Sequence, residues 1–243
     1  MAHKTRNKLT KKEIERDPVG EKLEAGLLFI QRYQKEIIGA LIAILIIIFV
    51  SQYFIGRKKA ATQESMAGFI TAGQLFDQAM NAAEMNQLEQ SVQGMEAAYG
   101  MAMQTWNANS QNQWARNAAI LGAKIDIIRG NYDAAISTLQ AVLAANPDKT
   151  VVIPALLHMG IVLENRGSEQ DMVNAEATYQ ELIEITEEGS QVEAEALRGL
   201  SRIAFKKEQY EQSEEYLRQA LAISADTTAF ENYRIAQLAE LTN

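Results

Sequence analysis

Residues 37–55 read IIGALIAILIIIFVSQYFI, nineteen consecutive positions without a charge, and no other feature restricts the fold of this chain as strongly. At about 1.5 Å per residue a helix of that length covers about 28 Å, close to the hydrocarbon thickness of a bilayer. A buried core helix seldom lacks a polar face for so long, so the run is expected to cross a membrane. It is too long for the apolar part of a signal peptide, and no small-x-small cleavage site precedes Arg57, so it is expected to remain as a permanent anchor. Tyr33 and Tyr53 flank it as interfacial aromatic belts do, and Gly39 with Ala43 forms a small-xxx-small pair suited to helix packing.

The span divides the charge unevenly. The formal net charge of -8 combines +6 over residues 1–59 with -14 over residues 60–243. Nine Lys and Arg side chains precede the span; beyond it only Arg57, Lys58 and Lys59 lie close, and the next is Arg116. The positive-inside bias therefore predicts a cytoplasmic N-terminus and an extracytoplasmic C-terminal part. Within the basic tail, residues 1–36, Thr10 and Glu13 match a capping box, and Asp17-Pro18 opens a helix in which Leu23, Leu27, Ile30 and Ile37 recur at helical spacing. Such an amphipathic segment is expected to lie along the inner interface. Its cations suit anionic lipid headgroups or ribosomal RNA, and an ordinary topology signal accounts for them as well.

With 14 Gly and 3 Pro in 243 residues, the chain has little of the punctuation that many short strands need, which favours an all-α fold. It has no Cys, which excludes disulfides, Cys-bound zinc and thiol catalysis. Residues 130–148, GNYDAAISTLQAVLAANPD, carry a local pattern. Gly130 suits a left-handed turn between two helices, Tyr132 packs in that turn, Ala135 allows close approach, and Pro147 ends the second helix.

This pattern resembles the second helix of the tetratricopeptide repeat, at Gly130, Tyr132, Ala135, Leu139, Val142 and Pro147. A second copy has Leu156, Gly160, Leu163 and Gly167, then Ala175, Tyr179 and Leu182, with about three extra residues within 168–174. It lacks the turn tyrosine and the closing Pro, ending in Glu187, Glu188 and Gly189. A third has Leu197, Leu200, Ser201 and Ala204, then Tyr210, Ser213, Leu217 and Ala220, with Glu208 in place of the turn glycine and Ala225 at its end. Small residues at 123, 160 and 201 lie 37 and 41 apart, near the family period of roughly 34. The expected architecture is a single transmembrane helix followed by a TPR-like α-solenoid of antiparallel helix pairs; generic helical hairpins are the alternative.

The expected organisation is a tail at 1–36, the span at 37–55, a membrane-proximal helical pair and loop at 60–113, and three repeats at 114–243 closed by a capping helix over 228–241. The pair comprises helices over 60–81 and 87–106, whose Met and aromatic stripes read as core. In this order of basic tail, anchor, Ala- and Gln-rich pair and divergent repeats, the chain resembles the YfgM-like membrane-anchored tetratricopeptide proteins. That resemblance implies a bacterial inner-membrane protein with a periplasmic domain, ancillary to the Sec translocon and to chaperones.

No catalytic set is visible, so an enzyme is not expected. Only His3 and His158 are available, and neither G-x-S-x-G nor a phosphate-binding G-x-x-x-x-G-K occurs. His158, between Leu157 and Met159, reads as structural, and no cofactor or metal is implied. Binding is the more natural use, because stacked helical hairpins present their first helices on a concave side. Projecting the repeat places Ile120, Lys124 and Ile127, then Leu157, Ile161 and Asn165, then Arg198, Arg202 and Phe205 on that side. The groove would be apolar at one end and basic at the other, holding a peptide of a protein partner; the alternative is that these residues pack against neighbouring helices. Membrane lipid is the other expected partner, with no nucleic acid and no small-molecule substrate. Two functions fit: an adaptor that recruits translocon or chaperone partners, or a permanent scaffold subunit of a larger membrane complex.

Overall fold

The computed structural model describes residues 18–145, 147–224 and 237–238. Its regular elements are all α-helices, and no strand occurs among the described residues. In chain order they are α1 (Pro18–Arg32), α2 (Gln34–Glu84), α3 (Leu88–Ala108), α4 (Gln113–Ile128), α5 (Tyr132–Ala144), α6 (Lys149–Arg166), α7 (Glu169–Ile185), α8 (Gln191–Lys206) and α9 (Tyr210–Ile223). The chain separates into two compact units, Met1–Lys59 and Ala60–Asn243. The sequence-predicted border at residue 113 therefore falls inside one unit.

In the first unit, α1 leaves Leu23, Leu27 and Ile30 more than half exposed. Tyr33 interrupts the helix only locally, because its N–H still bonds to Phe29 O at 3.0 Å and its carbonyl accepts from Ile37 N at 2.9 Å. Among the described residues, α2 is the one helix long and apolar enough to cross a membrane, and none of its most apolar stretch is buried. An arginine sits on a tyrosine at each end of that stretch: Arg32 lies 5.8 Å from the Tyr33 ring, and Arg57 lies 5.8 Å from the Tyr53 ring. Tyr33 and Tyr53 are twenty residues apart, about 30 Å along a helix. The sequence suggests a span ending at 55 and a new helix from 60, whereas α2 runs through. Gly56 weakens the helix there by about 1 kcal/mol without ending it, since Arg57, Lys58 and Lys59 are good helix formers and no proline occurs.

In the second unit a single register recurs four times. Ala123 is buried, Gly130 seven residues on is left-handed at φ 77°, and Ala135, Leu139 and Val142 are buried twelve, sixteen and nineteen residues on. Ser201, Glu208 (φ 61°), Ser213, Leu217 and Ala220 repeat that spacing. Gly160 and Gly167 (φ 76°) follow it too, but Ala175, Tyr179 and Leu182 come three residues late. A capping box causes the delay: Asp171 N donates to Ser168 Oγ, Ser168 N donates to Asp171 Oδ2, and α7 gains most of a turn. The fourth instance lies in the membrane-proximal pair, as Ala79, Asn86 (φ 57°), Ser91, Met95 and Ala98. The four hairpins are thus α2–α3, α4–α5, α6–α7 and α8–α9.

Small residues set the crossings. Gly94 on α3 lies against Ala79 on α2, where an added Cβ would come within 3.0 Å. Ser201 and Ser213 exchange hydrogen bonds between α8 and α9, each hydroxyl donating to the other's carbonyl, at 2.8 and 2.7 Å. From α3 to α9 successive helices pack on one another, and α4 also packs on α6 and α6 on α8. One large core runs from Ala119 through Leu139, Leu156 and Tyr179 to Ile203, and a smaller one joins Phe76, Ala79, Met95 and Ala98 to Ile125. The Thr10–Glu13 capping box, Ala225 and most of the capping helix over 228–241 lie outside the described residues. Leu238, within that last segment, is fully buried.

Candidate partner-binding face

The three first helices α4, α6 and α8 are enclosed on nearly every side. No residue is exposed within 114–127, 151–164 or 192–205. An apolar first helix surrounded in this way offers a partner only the half-buried side chains along one strip, and the nine predicted groove residues divide accordingly.

Ile120 is 5% exposed and belongs to the core, so it is not part of a surface. Ile127 and Leu157 are half-buried and pack against the same core. Lys124 lays its ammonium 4.6 Å from the Phe76 ring centre, a cation–π contact that ties α4 to α2. Ile161 is half-buried and Asn165 is exposed. Arg198 is buried and donates to Glu195 Oε1 at 2.8 Å. Phe205 packs edge-on against Tyr210, ring centres 5.6 Å apart.

Arg202 is held by Glu164, a residue that helical periodicity does not mark. Its Nε and Nη2 each reach Glu164, at Oε1 and Oε2, both at 2.8 Å. Glu164 itself is 6% exposed; it also accepts from the Tyr179 hydroxyl at 3.3 Å, and Lys206 Nζ stands 3.7 Å from Oε1. Burial acts to lower the Arg202 pKa, and the hydrogen bonds and charge of Glu164 outweigh it, leaving it raised. Burial, then the Glu164 charge, pushes the Tyr179 phenol well above its usual range. The basic end predicted for the groove is therefore neutralised from within, because periodicity assigns a residue to a face but not the group it meets there. The one signal for Glu164 in the sequence is its position as the sole acid of α6, following a largely apolar run, where a carboxylate needs partners.

His158 sits one residue past Leu157 with its pKa lowered to about 4, by burial first and then by the Lys124 charge, so it is neutral at pH 7. Beside the strip, Arg166 clamps Asp171 through Nε at 2.9 Å and Nη2 at 2.5 Å and reaches Asp133 at 2.7 Å. The Arg166 hydrogen bonds, then that of Ser168, hold the Asp171 carboxyl far below the ordinary range. Among the described residues, no three His, Asp or Glu side chains are gathered closely enough to hold a metal ion. What the strip presents is a run of side chains from Leu157 and His158 to Ile161 and Asn165, with Arg202 paired to Glu164 and Lys124 laid over Phe76. No family model and no curated protein matches this chain.

Proposed function

We propose that this chain is a non-enzymatic, single-pass membrane protein whose second unit is a TPR-like helical-repeat adaptor for protein partners on the extracytoplasmic side. The observation that carries this reading is the register shared by four hairpins. An array built from one repeated unit offers a long, even surface, a property suited to holding peptides and proteins rather than to gathering a catalytic set. The apolar stretch of α2, bracketed by its two Arg–Tyr pairs, supports the membrane anchor, and the charge asymmetry supports a cytoplasmic N-terminus. The layout supports a place beside a bacterial translocon and its chaperones, as in the YfgM-like proteins.

The test is photo-crosslinking in cells from Leu157, Ile161 and Asn165, compared with second-helix sites Gln140, Glu181 and Arg218. Capture of a protein from the first set alone supports the first-helix strip as the docking face. Capture from the second set alone removes it. Recovery of the chain in mild detergent with one partner at fixed stoichiometry favours the scaffold alternative. A cytoplasm-only reporter fused after Asn243 that proves active overturns the topology.

A further inference from the structure

The turn of the first hairpin carries an apolar patch that its counterparts do not. Met85 is 69% exposed, Leu88 71% and Val92 65%; Leu88 and Val92 are one helical turn apart on the same face of α3. Ile128, 52% exposed, adjoins Arg129, which bonds to Glu96 one turn beyond Val92 on that face.

The shared register shows what these positions do elsewhere. The residue before each left-handed turn is a cation in the later hairpins, and it reaches back to the second helix of the preceding hairpin. Arg129 pairs with Glu96 at 3.4 Å, Arg166 with Asp133 at 2.7 Å, and Lys207 with Glu176 at 2.5 Å. In the first hairpin that residue is Met85, and among the described residues no earlier hairpin stands for it to reach. Leu88 corresponds to Tyr132 and Tyr210, both half-buried, and Val92 to Ile136, which is 8% exposed. Side chains of the kind that the second hairpin buries are left in solvent by the first.

The charge around the patch selects its occupant. Glu84 and Glu89 are exposed beside it, and residues 60–115 hold five acidic side chains and no basic one; of these acids Glu96 is already met by Arg129, which leaves Glu84 and Glu89 to face a partner. A second copy would set these acids against their own equivalents, which like-charge repulsion disfavours. We propose that Met85, Leu88, Val92 and Ile128 form a docking site for a basic amphipathic helix of a partner protein. Its apolar residues at i and i+4 seat on Leu88 and Val92, and its Lys or Arg face Glu84 and Glu89.

The experiment uses the full chain in zwitterionic nanodiscs, with empty nanodiscs as the blank, and a fluorescent 18-residue amphipathic helix of Leu and Lys as the probe. Its Leu and Glu counterpart is the control. Binding of the cationic helix is expected, weakening as salt rises from about 50 mM to about 500 mM. Leu88→Ser with Val92→Ser is expected to lower affinity at least about tenfold. Glu84→Gln with Glu89→Gln is expected to weaken it severalfold with the apolar pair intact; all four positions are exposed, and unchanged thermal unfolding verifies the fold. The proposal is overturned if the Ser pair binds like the parent chain or if the acidic helix binds equally well. It is also overturned if sedimentation reveals a dimer that the Ser pair abolishes.

Discussion

The ring of Tyr179 occupies the space into which a side chain at Gly160 would project. The same ring is bounded on its other edge by Gly199, so the fully buried phenol is held between glycines of α6 and α8. Gly160→Ala gains about 1 kcal/mol of helix propensity but forces an overlap that typically costs about 1–3 kcal/mol, and here the ring has no room to withdraw. The expected outcome is a loss of about 1–2 kcal/mol in chemical denaturation. In a Tyr179→Leu background the same change is expected to become neutral or favourable. A Gly160→Ala chain as stable as its parent would rule out this account of the close packing.

Glu164 and Arg202 lend themselves to a double-mutant cycle. Glu164→Leu leaves Arg202 half-buried without its carboxylate, and Arg202→Met leaves a buried carboxylate with Lys206 and Tyr179 alone. Each single change is expected to cost about 3 kcal/mol, whereas the double change, which removes both charges, is expected to cost less than either. Additive losses would show that the two groups act separately.

Stability is expected to fall on mild acidification because of His158. Its pKa is 6.5 when unperturbed and about 4 in the fold, so between those values the unfolded chain binds a proton that the folded chain does not. Its contribution is therefore complete above about pH 6.5 and lost as pH falls through 4, by about 3 kcal/mol in all. Asp171, whose pKa is depressed, contributes with the same sign but only below the ordinary carboxylate range, so the two windows separate. Denaturation midpoints across pH 7 to 4 should flatten in His158→Gln; an unchanged slope would assign the acid sensitivity elsewhere.

Glu208 holds a left-handed conformation at φ 61°, where the turns of the second and third hairpins have Gly130 and Gly167. A residue with a Cβ is strained there by about 1 kcal/mol. Glu208→Gly is expected to raise stability by about 0.5–1 kcal/mol, and Gly167→Ala to lower it by about 1 kcal/mol. Thermal unfolding of both variants tests the pair, and the idea fails if their shifts share a sign.

Most of the helical pattern was legible in the sequence. The left-handed turns at 130, 167 and 208 all follow a small residue by seven, and even Glu208 announced itself by standing where a glycine belonged. The first hairpin was harder to see, because its turn residue is Asn86 and its small pair is Ala79 with Ser91, which lack the Gly and Tyr landmarks of the second. The groove residues were legible only as positions. Lys124 faces Phe76 and Arg202 faces Glu164 across more than thirty residues of sequence, and helical periodicity contains no information about what lies opposite. Glu164 escapes periodicity for the same reason: its partners belong to α7 and α8.

The contacts of the second unit run from each helix to its neighbours, with α2 on α4, α4 on α6 and α6 on α8 as the longer steps. An array wired in this way has no single centre whose loss dissolves the whole; its cohesion is a chain of links, each as strong as its own interface. Tyr179 makes one link unlike the rest, since one ring joins α6, α7 and α8 at once. That ring fastens the third hairpin to the fourth, so a change to it is felt by three helices rather than two.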